Sequence, residues 1–173
     1  MSENIAKQIL SQISEGNIVI AIWWKRAIAY ILDSIFIVGV LILLTNGRIS
    51  DAWDLNLLLS DKRYFINWFL LFAGFWLYFK YTGKIMQRSL GQRFMKLAII
   101  YGDGTIVPEN NWGKRSFYKL RYALPLPIGL IIGILDLIRV MRSDTHQSRI
   151  DWYTNTIVVM DWSLPIEIRT ILK

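Results

Sequence analysis

The chain has no cysteine, one histidine and four prolines among its 173 residues. Without cysteine there is no disulfide scaffold, no thiolate nucleophile and no cysteine zinc site. The single histidine, His146, stands in a polar Asp-Thr-His-Gln stretch with no second imidazole to share a metal or a proton relay. It reads as a solvated loop residue. A phosphate-binding glycine loop, an HExxH helix and a nucleophile elbow are also missing, so neither enzymatic activity nor a cofactor is expected. Charge is scarce: 19% of residues are charged, against about 25% in an ordinary soluble domain. What charge there is leans one way, with 20 Lys and Arg against 13 Asp and Glu and a formal net of +7.

The deficit in charge is matched by an apolar excess, 54% of the chain, with eight each of Trp, Tyr and Phe. That much apolar material excludes disorder. Two stretches hold most of it. Ala27–Leu44 is 18 residues long with one ionisable group, Asp33. Tyr64–Phe79 has 16 residues, no charge and one Asn, with Lys62, Arg63 and Lys80 at its ends. A bilayer core of roughly 30 Å needs about 17–25 apolar residues, so the first qualifies directly and the second with its flanking cations snorkelling. Trp23, Trp24, Trp68 and Trp76 lie near the ends of these runs, where amphipathic rings favour the membrane interface. A pair of buried helices in a soluble protein is the plainer alternative, but a chain this short has little to cover both.

A third run, Tyr122–Val140, contains Pro125, Pro127, Gly129 and Gly133, then Asp136 and Arg139. Two prolines so close forbid one unbroken helix, leaving a kinked third span or a re-entrant pair of half-helices. Residues 3–14 place Ile5, Ile9 and Ile13 at four-residue spacing, which predicts a short surface-lying amphipathic helix rather than a cleavable signal. Between the second and third runs, Lys96–Val107 reads as strand, Gly-Asp-Gly turn and short strand. Thr156–Met160 is β-like and is expected to pair with Leu97–Tyr101. No internal repeat is visible.

Basic residues set orientation better than net charge does. Three precede the first run, three lie in the 45–63 loop beside three aspartates, and nine fall in 80–121 against only Asp103 and Glu109. The segment 80–121 is therefore expected in the cytoplasm, together with the N-terminus. Because the cations flank apolar segments, anionic lipid headgroups rather than nucleic acid are their expected partners. Arg139, Arg142, Arg149, Arg169 and Lys173 follow the third run, and the same rule places them inside if that run re-enters.

Asp33 lies a third of the way into the first run, where a carboxylate costs about 2.5–3.5 kcal/mol on insertion scales. It must face protein or water, find a partner, or take a proton. Arg26 is seven positions earlier, about 10 Å of helical rise, on the same face but out of reach within a straight helix. Each needs a partner elsewhere, and Asp136, Arg121, Arg139 and Arg149 are candidates. Asp136 and Arg139, at i and i+3, are also placed to pair with each other.

Several of these segments resemble one family. Trp24-Lys-Arg-Ala-Ile-Ala-Tyr-Ile-Leu-Asp-Ser34 is similar to the signature of RDD membrane proteins, named for an arginine at the start of the first transmembrane helix and two aspartates. Arg26 and Asp33 match the arginine and the first aspartate. Ser89–Leu97 resembles the motif after the second helix, Ile99–Gly104 the strand and turn that follow, and Gln147–Val159 the closing motif, in which Asp151 matches the second aspartate. The likeness covers about residues 20–160. It departs from the pattern at Leu90-Gly91-Gln92, which lacks the usual proline and lysine, and at Ile150, where histidine is common.

The resemblance implies transport, with some members of the family linked to sodium–proton exchange. The expectation is then an α-helical integral protein of the cell membrane, multi-pass, with two transmembrane helices (27–44 and 64–79), a third kinked or re-entrant helical segment (122–140) and a small cytoplasmic β-hairpin element. Residues 1–20 form an N-terminal amphipathic segment, 21–160 the membrane domain and 161–173 a tail. Two or three spans enclose no pathway, so transport implies a homo-oligomer or a partner membrane protein. The alternative is a structural or adaptor membrane protein whose charges tie helices together.

Overall fold

The computed structural model describes residues 11, 18–54, 62–124, 128–143 and 146–172. Apart from Ser11, the amphipathic segment expected over 3–14 lies outside them, as do Pro125 and Pro127. The protein is mostly helical with one two-stranded sheet.

Helix α1, Trp23–Leu44, is an uninterrupted run without proline. It stops where Thr45 turns its hydroxyl back on the Leu41 carbonyl (2.7 Å) and Gly47 takes a left-handed φ of 83°. Its buried face is narrow: Ala29, Asp33 and Ile37, one per turn. Ile31, Ile35, Phe36, Leu43 and Leu44 point outward and are exposed. Among the described residues this is the one unbroken helix long and apolar enough to cross a membrane, with a mean hydropathy of 2.6, and only 17% of that window is buried. A core helix of a soluble protein would be mostly covered.

Helix α2, Arg63–Met86, contains the second apolar run and is long enough at 24 residues, but it falls short of α1 in hydropathy. Tyr64, Trp68, Leu71, Phe75 and Phe79 recur every three or four positions and are buried against α1 and the 3₁₀ turn Arg48–Trp53. Phe65, Ile66 and Phe69 lie on its exposed face.

The rest of the fold contains a repeat that the sequence conceals, the expectation of none notwithstanding. Two five-residue helices, α3 (Leu90–Phe94) and α6 (Arg149–Tyr153), lead into the strands β1 (Leu97–Tyr101) and β2 (Thr156–Met160). Each helix opens with a capping box, Ser89 with Gln92 and Ser148 with Asp151, in which serine hydroxyl and third-position side chain satisfy one another's backbone N–H. Each is followed by a residue in the left-handed region, Lys96 (φ 55°) and Asn155 (φ 48°). In each, the residue before the serine reaches the first carbonyl of its own strand, Arg88 to Leu97 O (3.5 Å) and Gln147 to Thr156 O (2.9 Å). Across the nine positions 89–97 and 148–156 only the leading serine is identical.

The strands pair antiparallel from Leu97↔Met160 to Tyr101↔Thr156, as expected. Outside the ladder the two units are joined reciprocally: Gly102 N–H donates to Asn155 O (2.8 Å) and Asp161 N–H to Lys96 O (3.0 Å). The expected short return strand after Gly-Asp-Gly shrinks to one bridge, Ile100↔Ile106, while Ile20 adds a bridge at the β2 edge. The ladder is otherwise the work of β-branched residues that fit a buried, pleated surface.

Helix α4 (Glu109–Lys119) and its 3₁₀ extension to Ala123 meet α5 (Ile128–Arg142) at 119°, with residues 124–127 between. The third apolar run is therefore broken. Helix α5 exposes Ile128, Leu130, Ile131, Ile134, Leu135 and Ile138 and buries Gly129, Asp136 and Val140. A short α7 (Ile166–Arg169) closes the chain over the sheet through Ile168.

Candidate functional site: a charged cavity between the first and fifth helices

Asp33 is 1% exposed and accepts three hydrogen bonds. They come from Tyr78 Oη (2.6 Å), Ser89 Oγ (2.5 Å) and the Gly91 backbone N–H (2.7 Å). The first-unit cap can come this close because residue 91 is glycine. A Cβ there would lie 2.1 Å from Ala29 O and 2.9 Å from Asp33 Cγ. Among the described residues no guanidinium is bonded to Asp33, so the arginine partner sought in the sequence is replaced by hydroxyls and an amide.

Arg26 goes instead to the second unit. Its Nη1 meets Asp151 Oδ2 at 3.0 Å, while Nη2 and Nε donate to Val158 O and Ala21 O, both at 3.1 Å. Asp151 also receives Arg115 Nη2 on its other oxygen (2.6 Å) and the Ser148 N–H and hydroxyl. Arg115 reaches on to Thr154 and Thr156. Burial pushes the Asp151 carboxyl up, but the Arg115 and Arg26 guanidiniums and the Ser148 N–H outweigh it and hold the group below the ordinary carboxylate range.

Asp136 is buried on α5; its Oδ2 accepts a hydrogen bond from the Tyr122 hydroxyl (2.5 Å) and lies 4.0 Å from Arg121 Nη1, an ion-pair contact rather than a hydrogen bond. The i, i+3 neighbour Arg139 is exposed, and so is Arg149. Of the seven residues singled out in the sequence, five are drawn into polar contacts around α1 and α5, and these two arginines stand apart.

Those contacts border one cavity of about 340 Å³, lined by Arg26, Asp33, Asp136 and Asp151 together with Arg115 and Lys119. Most of its remaining wall is apolar, including Ile31, Leu130, Ile134 and Leu137. Ile31, Leu130 and Ile134 are also exposed, so the cavity reaches the molecular surface between α1 and α5. The half-buried Lys119 ammonium stands 3.7 Å from the Phe79 ring centroid, and burial pushes it down to about 7. Arg115 Nε is buried without a partner. Among the described residues no cluster of three or more His, Asp or Glu side chains could hold a metal ion.

Arg115 and Lys119 were counted in the sequence only as topology charges. Their signal was available in the spacing: Trp112, Arg115, Ser116 and Lys119 fall at i, i+3, i+4 and i+7, one face of α4, and that face is the one Trp112 buries. Comparison with protein-family models, with curated proteins and with solved structures finds no match to this chain.

Proposed function

We propose that this chain is a multi-pass membrane protein of the RDD type, acting as a small transport component whose ligand-handling site is the cavity between α1 and α5. The cavity carries the reading: two carboxylates of apolar helices, Asp33 and Asp136, border one space that reaches the surface. Supporting membrane insertion, α1 and α2 turn Ile, Leu and Phe outward and α5 turns Ile and Leu outward. Exposed apolar faces on three helices exceed what a soluble monomer tolerates, and lipid would cover them. Asp33 and Asp136 each share a proton-bearing tyrosine hydroxyl, which makes a proton- or cation-linked step chemically available. A homo-oligomer or partner subunit would complete the pathway. The site is read as non-enzymatic, with no cofactor.

Reconstitution tests this. Proteoliposomes carrying the wild type should dissipate an imposed pH or cation gradient, and Asp33→Asn should slow them at least about tenfold. Equal background leak from both would sink transport.

A second reading has its own observation. The Arg26–Asp151–Arg115 cluster is buried and internally satisfied on its ion-pairing atoms, which suits an adaptor that holds α1 to the sheet. On that reading Asp33→Asn lowers accumulation of the protein and leaves no flux to lose.

A further inference from the structure

Two contacts fix where the short helices sit along the apolar runs. Arg26, the residue before the first run, holds Asp151 of α6 at 3.0 Å. Phe79, the last residue of the second run, has the Lys119 ammonium of α4 3.7 Å from its ring centroid. These two ends lie on the same side of the molecule, since Tyr78 Oη reaches Asp33 at 2.6 Å. Helices α4 and α6 are therefore pinned where both apolar runs finish.

At that level they carry a surface strip of aromatic rings. Phe117 and Tyr118 have centroids 6.4 Å apart, Tyr118 stacks on Tyr153 at 5.2 Å, and Tyr153 meets Trp152 at 5.2 Å. Phe117 is 65% exposed, Trp152 61% and Tyr153 53%, with Tyr118 half-buried between them. Arg121 stands 5.8 Å from the Tyr118 ring, and Arg149, one turn before Trp152 and Tyr153, is exposed. Trp23 and Trp24, beside Arg26 at the start of α1, are exposed too, whereas Trp68, expected at the interface, is buried.

Neither water nor hydrocarbon alone suits such a strip. Water leaves four contiguous rings uncovered, and hydrocarbon strips Arg149 and the tyrosine hydroxyls of solvent. The boundary between lipid headgroups and acyl chains takes apolar ring bodies and polar tips together and offers cations anionic partners.

We propose that the Phe117–Tyr118–Tyr153–Trp152 strip is a bilayer anchor, lying in the headgroup–acyl boundary of the leaflet nearest the sheet and setting how deep α1 and α2 sit. This rests on the membrane reading above and is independent of whether the protein transports anything. Helix α6 then has two working sides: Ile150 and Asp151 are buried, Asp151 on α1, while Trp152 and Tyr153 face lipid.

The chain has no cysteine, so one introduced thiol at a time can carry a nitroxide. The full chain with Phe117→Cys, Trp152→Cys, Ile35→Cys or Asn110→Cys is labelled and reconstituted in vesicles of phosphatidylcholine and phosphatidylglycerol. Accessibility to oxygen is then compared with accessibility to a neutral nickel chelate. Ile35 is exposed on α1 and marks the hydrocarbon. Asn110 is exposed on α4, beside the Glu109–Lys84 pair, and marks the aqueous side about 10 Å of rise before Phe117. The oxygen-to-nickel ratio should be highest at position 35, lowest at 110 and intermediate at 117 and 152. A ratio at 117 or 152 as low as at 110, or as high as at 35, overturns the anchor alone. Shielding of both positions from both reagents also overturns it, because a partner protein or a second copy would then cover the strip. A ratio at 35 as low as at 110 overturns the membrane reading and the anchor together. Tyr153→Cys takes the place of any strip variant that does not fold.

Discussion

Helix α1 fastens to both copies of the capped-helix-and-strand unit, and the two fastenings use opposite chemistry. At the first unit the acid belongs to α1: Asp33 receives a serine hydroxyl, a tyrosine hydroxyl and a glycine N–H, all neutral donors. At the second unit the acid belongs to the cap: Asp151 closes its own capping box and receives two guanidiniums, Arg26 from α1 and Arg115 from α4. The first places a charge against dipoles, where close approach matters most. The second is an ion triad that holds three elements together, and removing any member leaves a buried charge without its complement. The same local motif thus serves once as a receptor for an acid and once as its donor.

The contrast predicts unequal sensitivity. Asp151→Asn strands two guanidiniums and should cost about 3–5 kcal/mol, read as a fall in the unfolding midpoint in detergent. If it costs no more than Asp33→Asn, the contrast is wrong. Acid should act on the same latch. The folded-state pKa of Asp151 lies below its unfolded value, so the unfolded chain binds more protons. The stabilisation is complete above about pH 4 and is lost as pH falls through the folded value. Midpoints measured from pH 6 to pH 2 should show this fall in wild type and in Asp33→Asn, and lack that component in Asp151→Asn.

Close approach governs the first latch. Gly91→Ala would drive a methyl into Ala29 O and the Asp33 carboxyl. Such overpacking should cost about 1–3 kcal/mol by the same melt, without altering the acid transition of the second latch. Asp33→Asn is milder, about 1–2 kcal/mol, because the amide oxygen still accepts from Gly91 N–H and Tyr78 while the Ser89 hydroxyl can turn to accept. A loss as large as that of Asp151→Asn would mean that Asp33 is held by charge after all.

Much of this was legible in the residues, for reasons of local physics. The strand pairing followed from β-branched runs at 97–101 and 156–160, and the break in the third apolar run from Pro125 and Pro127. The singled-out charges Arg26, Asp33, Asp136 and Asp151 do border one cavity. Their partners were not legible. Arg26 was set against Asp136, yet its ion-pair partner among the described residues is Asp151, 125 positions away. Asp33 was offered Arg121, Arg139 or Arg149 as candidate partners, and among the described residues it bonds hydroxyls and an amide instead. Ser89, Tyr78, Arg115 and Lys119 carry no mark in isolation: serine is common, and cations in a basic segment look alike.

The repeat escaped for a related reason. A capping box needs only serine and a third-position acceptor, and glutamine or aspartate will do. The helix that follows is too short to impose a pattern. The units therefore share geometry while keeping one identical residue in nine.

By itself the sequence determined where the apolar helix α1 runs, where the chain breaks and which segments form strands, because these depend on neighbours within a few residues. It also determined that Asp33 and Asp136 could not remain unpartnered, because desolvation is a property of the group and its apolar surroundings. Only the tertiary structure decided that Asp33 meets hydroxyls, that Arg26 meets Asp151, and that Arg115 and Lys119 line the same cavity. Those outcomes depend on distances across 36 to 125 positions of chain, which spacing along a single helix or strand cannot encode.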